Sequence, residues 1–161
     1  MLKITESLKT GFSFGLASGV ITTLGLIVGL NSGTHSKSVV LGGIFIIATA
    51  DAFSDAFGIH ISEESKSRHT DREVWTSTVC TFLAKLVFSL TFIIPILLFE
   101  LPMAIIISVA WGLLILGVFS FFIAKGRKDS WKVVAEHLFI AIVVIITTYY
   151  IGQWASSAFK E

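Results

Sequence analysis

Residues 38–61 have the sequence SVVLGGIFIIATADAFSDAFGIHI, an apolar stretch interrupted by two carboxylates. The stretch is longer than the roughly 20 residues with which a helix crosses a bilayer. Asp51 and Asp55 are four residues apart, so a helix carries both of them on one face. A charge inside a membrane span is costly, and it indicates either a functional site or a buried partner of opposite charge.

The composition of the whole chain predicts an integral membrane protein. Of its 161 residues, 54% are hydrophobic and only 14% are charged, and the mean hydropathy is +0.86. A soluble domain carries roughly 25% charged residues. The formal net charge of +1 gives no sign of nucleic-acid binding, and a single cysteine, Cys80, excludes an intramolecular disulfide and a cysteine-rich metal site.

Five segments are long and apolar enough to span a bilayer, which predicts an all-α membrane protein with a single five-helix domain over residues 1–161. The expected spans are about 11–30, 38–61, 75–98, 102–124 and 133–155. Pro95 is expected to kink or end the third span, because proline lacks the N–H that a helix interior requires.

The distribution of Lys and Arg predicts the orientation of the spans. With the N-terminus in the cytoplasm, nine basic residues lie on or near the inner segments: Lys3, Lys9, Lys66, Arg68, Arg72, Lys125, Arg127, Lys128 and Lys132. The outer segments hold only Lys37 and Lys160. The positive-inside rule therefore places the N-terminus in the cytoplasm and the C-terminus outside or in a lumen.

Glycines recur every four residues along the first span and beyond it, in two sets: Gly11, Gly15 and Gly19, then Gly25, Gly29 and Gly33. Small residues at this spacing let helix backbones approach closely. One interpretation is a seam between two subunits, and the other is packing against a neighbouring span of the same chain.

Acidic residues on the second span and just after it define a candidate path for a cation. A cation entering from the cytoplasm meets Glu64 or Glu63, then Asp55, then Asp51. Oxygen ligands suit Mg²⁺, Mn²⁺ or Fe²⁺. His60 would add an imidazole ligand, but it lies about 140° around the helix from Asp55. The alternative is that His60 faces the membrane boundary and binds no metal.

Lys85 competes with a metal cation for these carboxylates. It falls near the middle of the third span, at about the depth of Asp51, and charges buried in a membrane usually pair. An Asp51–Lys85 ion pair would leave Asp55 as the unpaired carboxylate and the better candidate for transport chemistry. The pair itself could be structural, or it could couple a proton to a cation that displaces Lys85. No Walker loop, zinc-protease motif or nucleophile elbow occurs, so we expect no enzyme and no permanently bound cofactor.

Four motifs, in order along the chain, resemble the vacuolar iron transporter family: SGVITTLGLIVG at 18–29, ADAFSDAFGIHIS at 50–62, TFLAKLVFSLTFIIP at 81–95 and TYYIG at 148–152. The resemblance implies five membrane helices, a homodimer, and an ion path along the dimer seam lined by the first two helices. It also implies export of Fe²⁺ or Mn²⁺ from the cytoplasm in exchange for protons, across the cell membrane of a prokaryote or a vacuolar-type membrane of a eukaryote.

The sequence departs from the family at its metal site. Ser18 stands where the family has an aspartate, and Asp55 stands where it has a methionine. Asp51 and Lys85 occupy places where small or apolar residues are expected. The short connection 62–74 replaces a Glu-rich cytoplasmic domain of the larger members.

These departures allow two hypotheses. In the first, the carboxylate has moved from the first helix to the second, so that two Asp55 side chains face each other across a twofold axis with Ser18 and Thr22 nearby. Loss of the methionine makes the site harder and favours Mn²⁺ or Mg²⁺. In the second, the protein is a membrane scaffold or partner subunit that has lost transport. The partners expected under the first hypothesis are a second copy of the chain, the lipid bilayer, divalent metal ions and protons.

Overall fold

A computed structural model describes residues 2–66, 70–125 and 129–159, with side chains from residue 4 onward. Arg68, Arg127, Lys128 and Lys160, which contribute to the charge distribution, lie outside these ranges. The side chain of Lys3 also lies outside them. The orientation with a cytoplasmic N-terminus stays a prediction.

The described residues are helical and form six helices, with no strand among them. Their bounds are Leu2–Thr34 (α1), Lys37–Glu64 (α2), Asp71–Thr91 (α3), Ile93–Leu98 (α4), Leu101–Ala124 (α5) and Ser130–Ala158 (α6).

Five of the described segments are long and apolar enough to cross a membrane, with α3 and α4 together forming the third: Ile4–Thr34, Lys37–Glu64, Asp71–Leu98, Leu101–Ala124 and Ser130–Ala158. Each predicted span lies within one of these segments, which confirms the all-α class and the five spans. Large apolar side chains such as Phe57, Ile106 and Phe139 are 64% or more exposed. Such an apolar surface needs an apolar surrounding, and the protein is a multi-pass membrane protein.

The two prolines mark helix boundaries in the way that their chemistry requires. α3 ends at Thr91, four residues before Pro95, because a proline ring clashes with the carbonyl four residues earlier. Pro102 lies in the first turn of α5, where backbone N–H groups have no intrahelical acceptor, so the missing N–H of proline costs no hydrogen bond. The expected interruption at Pro95 is therefore confirmed.

The chain divides into two compact units, Met1–Gly19 with Phe45–Thr91, and Val20–Ile44 with Phe92–Glu161. We call them unit 1 and unit 2. Both α1 and α2 contribute residues to each unit. The expectation of a single five-helix domain stays a prediction.

In unit 1, the first glycine set packs α1 closely against α3. A Cβ atom added at Gly11 would lie 3.0 Å from the Cβ of Cys80, and one added at Gly19 would lie 3.0 Å from the carbonyl oxygen of Lys85. The Thr81 hydroxyl donates to the Gly11 carbonyl at 3.2 Å. This set therefore packs within the chain, as the second of the two interpretations proposed.

In unit 2, the second glycine set packs against α6 in the same way. A Cβ atom at Gly33 would lie 2.9 Å from the carbonyl oxygen of Gly152. The Ser32 hydroxyl donates to the Tyr149 carbonyl at 2.9 Å. Packing within the chain thus explains both glycine sets, and the homodimer stays a prediction that must rest on other residues.

Substitution of Gly15 by alanine tests this packing. A Cβ atom there would lie 3.1 Å from the Cβ of Ala84 and would press on the Thr81 carbonyl. We expect Gly15→Ala to lower the free energy of unfolding by about 1–3 kcal/mol, the usual cost of overpacking. Unfolding in mixed micelles with increasing dodecyl sulfate measures the effect.

The matched control is Gly42→Ala, because a Cβ atom at Gly42 meets nothing within 4 Å. There the higher helix propensity of alanine should add up to about 1 kcal/mol to the free energy of unfolding. Equal stability of the two variants would contradict the close contact of α1 with α3.

Candidate functional site

Close contact of α1 and α3 in unit 1 places a lysine inside the membrane span. A Cβ atom at Gly19 would lie 3.2 Å from both Cα and Cγ of Lys85, so the absence of a side chain at Gly19 leaves room for the lysine stem. The Ser89 hydroxyl donates to the Gly19 carbonyl at 3.3 Å and holds the same two helices together one turn further along α3. As a result, the Lys85 side chain is only 1% exposed.

The ammonium of Lys85 contacts three oxygen-bearing side chains. It donates to the Ser18 hydroxyl at 2.9 Å and to Oδ2 of Asp55, and it lies 2.5 Å from Oδ2 of Asp51. The Ser18 hydroxyl in turn donates to Oδ2 of Asp55 at 2.6 Å. We call these four residues, Ser18, Asp51, Asp55 and Lys85, the triad-serine cluster.

The two aspartates are bound differently. Asp55 accepts hydrogen bonds from Lys85 and from Ser18. Asp51 makes an ion pair with Lys85, but its buried Oδ2 accepts no properly directed hydrogen bond from the described residues. Proximity alone stabilises Asp51 there, whereas Asp55 is also oriented by two donors.

This geometry confirms the predicted ion pair of Asp51 with Lys85, but the expectation that Asp55 would stay unpaired is wrong. Asp51 and Asp55 project from successive turns of α2 on one face, and the long lysine side chain reaches between them. One ammonium therefore serves both carboxylates.

The charges of the cluster do not balance. Two carboxylates and one ammonium leave one negative charge in excess when all three are ionised. The aspartate side chains are 24% and 20% exposed, so the excess charge lies on the open side of the cluster, while the ammonium is enclosed. Negative charge that is open on one side of a buried site attracts cations.

The other predicted site residues lie outside the cluster, and two of them have partners elsewhere. Glu63 is 3% exposed and pairs with Lys66 at 2.6 Å, while Glu64 is exposed at the end of α2. His60 faces α3: its Nδ1 lies 3.0 Å from the Thr78 hydroxyl oxygen. Thr22 follows Ser18 by one turn of α1 and belongs to unit 2.

The cluster that the structure brings together is therefore smaller than the predicted path. Within the described part of the chain, no group of three or more His, Cys, Asp and Glu side chains could hold a metal ion. The cluster supplies two carboxylates and one hydroxyl, which are hard oxygen donors of the kind that Mg²⁺ and Mn²⁺ favour.

The sequence reasoning missed the capping of α3. The backbone N–H of Thr70 donates to Oε2 of Glu73 at 2.8 Å, and Glu73 is 5% exposed. The order Thr-x-x-Glu over residues 70–73 is the usual signal of a capping box. This cap fixes where α3 begins.

Comparison of the chain with protein-family models, with curated proteins and with solved structures finds no match. The resemblance to the vacuolar iron transporter family stays a prediction based on its four motifs.

The unequal bonding of the two aspartates predicts unequal effects of their substitution. We expect Asp55→Asn to lower the free energy of unfolding by about 3 kcal/mol, because it removes one charge from a buried pair and disturbs two hydrogen bonds. Asp51→Asn should cost less, since it removes an ion pair without a directed hydrogen bond and leaves Lys85 balanced by Asp55. Unfolding in mixed micelles compares the two variants.

The double variant Asp55→Asn with Lys85→Met, compared with the two single variants, measures the interaction free energy between the two side chains. It should be more stable than the sum of the single effects predicts, because the partners share an interaction. Additive effects, or a larger cost at Asp51 than at Asp55, would contradict the geometry described here.

Proposed function

We propose that this protein transports a divalent metal cation, Fe²⁺ or Mn²⁺, out of the cytoplasm in exchange for protons, and that the triad-serine cluster is its coupling site. The observation that carries the proposal is the position of the Lys85 ammonium. Two carboxylates and a hydroxyl surround it, so the position is built to hold a cation.

Exchange with protons follows from charge balance at the cluster. An ammonium together with one ionised and one protonated carboxylate is neutral. A divalent cation on two ionised carboxylates beside an uncharged amine is neutral as well. Conversion of the first state into the second releases two protons, one from the carboxyl group and one from Lys85. Each state avoids a net charge inside the membrane, where charge is costly.

A second copy of the chain is part of the proposal. The described residues of one chain gather too few ligands for a metal ion, whereas Mg²⁺ and similar hard cations prefer six oxygen ligands. Asp51 and Asp55 are partly exposed, so a twofold partner could add its own carboxylates. The resemblance to the vacuolar iron transporter family favours the same arrangement.

The flux of metal ions tests the proposal. Purified protein in liposomes should move Mn²⁺ and Fe²⁺ under a pH gradient, and metal movement should be accompanied by opposite proton movement. Asp55→Asn should lower the flux by roughly 10- to 100-fold, as loss of an anchoring group at a metal site does. An ion-sensitive dye inside the liposomes reports the metal, and a pH-sensitive dye reports the protons.

Asp129→Asn is the matched control for this experiment. Asp129 is exposed, and its side chain makes no cap bond to α6, so its loss should leave the flux unchanged. Absence of flux for both ions in the parent protein, or full flux in Asp55→Asn, would refute the proposed mechanism.

A non-transporting scaffold or partner subunit is the second candidate, and the enclosure of Lys85 favours it. The ammonium has anionic and hydroxyl partners without any metal, as a purely structural pair would. This candidate predicts that the parent protein gives no flux, while replacement of all three charged groups (Asp51→Asn and Asp55→Asn with Lys85→Met) restores the stability lost in Lys85→Met. Metal flux that depends on Asp55 excludes it.

A further inference from the structure

A long apolar groove lies between α1 and α3 in unit 1, apart from the triad-serine cluster. Its volume is about 650 Å³, and its lining includes Leu8, Phe12, Trp75, Leu83, Val87 and Phe88. Trp75, Leu83 and Val87 are 51% or more exposed, so the groove opens outward over much of its length. The distance along α3 from Arg72 to Phe88 is roughly 24 Å, at about 1.5 Å per residue.

One end of this groove carries a cation. Arg72 lines the groove, lies in the first turn of α3 and is exposed. Among the described residues, no carboxylate forms an ion pair with its guanidinium group. The groove therefore combines a long apolar wall within the span with an unpaired positive charge at the span's end.

We propose that this groove binds an anionic phospholipid, with an acyl chain along Leu83 and Val87 and the phosphate on Arg72. A hydrocarbon chain is flexible enough to follow a wall of uneven, bulky side chains. The headgroup supplies a negatively charged partner for the guanidinium group of Arg72. Guanidinium binds phosphate through paired hydrogen bonds. Under the predicted orientation, Arg72 faces the cytoplasmic leaflet, where anionic lipids are enriched.

Two features of the groove favour lipid over a helix from a second copy. Helices in membranes associate closely through small residues, whereas Phe12, Trp75, Leu83 and Phe88 are large. A partner helix would also cover Arg72 and would have to supply a carboxylate at the same height. The choice of an anionic lipid follows from charge, since the ammonium of a zwitterionic headgroup repels Arg72.

Fluorescence of Trp75 tests the proposal, because Trp75 lines the groove. A variant with Trp111, Trp131 and Trp154 each changed to Phe leaves Trp75 as the sole tryptophan. In bilayers that mix phosphatidylcholine and phosphatidylglycerol, brominated phosphatidylglycerol should quench Trp75 more strongly than brominated phosphatidylcholine at equal fraction. Roughly fivefold selectivity is expected, which corresponds to the ~1 kcal/mol that a basic residue adds to anionic-lipid binding.

In the same background, Arg72→Gln should abolish the selectivity, and Lys132→Gln should keep it. Lys132 is 75% exposed and does not line the groove. Lys132→Gln therefore removes one positive charge, as Arg72→Gln does, without altering the groove. Far-UV circular dichroism verifies that each variant is helical. Equal quenching by both lipids in the parent, or selectivity retained in Arg72→Gln, would overturn the proposal.

Leu83→Trp in the otherwise native chain narrows the groove without changing its charge. Native mass spectrometry should then show fewer bound phosphatidylglycerol molecules and an unchanged oligomeric mass. A change in oligomeric mass with lipid binding intact would show that a second copy occupies the groove, and the proposal would fail.

Discussion

The arrangement of unit 1 depends on one buried ammonium group. A lysine inside a membrane span needs anionic or polar partners within reach, because the bilayer offers none. Lys85 on α3 finds them on two other helices: Ser18 on α1, and Asp51 and Asp55 on α2. A shift of any of these helices by one turn, about 5.4 Å, would separate the ammonium from its partners. The register of three helices is thus fixed at one point.

This ion pair is possible only because the glycines of α1 allow α3 to approach. At Gly19 the stem of Lys85 takes the space in which a side chain would lie. The hydroxyls of Thr81 and Ser89 donate to glycine carbonyls on α1, so hydrogen bonds also hold α1 and α3 together. Close packing and charge pairing therefore reinforce each other, and loss of the first would weaken the second by moving Lys85 away from Ser18.

The sequence predicted the elements better than it predicted the partners. Hydropathy located five spans because the bilayer imposes a length and an apolar composition on each, and Pro95 marked a break because its chemistry is local. The partners of Lys85 depend on distances between helices, about which periodicity says little. Asp51 and Asp55 share a face, so periodicity could not show that one lysine would reach both. Glu63 was predicted on the path and His60 as an additional imidazole from their places in the chain, but Glu63 pairs with Lys66 and His60 contacts Thr78 on α3.

The unequal count of charges is the strongest argument that the cluster does more than hold helices together. One aspartate would balance Lys85, and a neutral pair would meet any structural need. When it is ionised, the second aspartate adds a negative charge within a span, at a cost on the order of 2.5–3.5 kcal/mol on insertion scales. Ser18 compensates only in part, since its hydroxyl orients Asp55 but brings no charge. A site with an enclosed ammonium and a partly exposed pair of carboxylates has a place for a further proton or cation, and the exchange of these two species is the chemistry that the proposed transport requires.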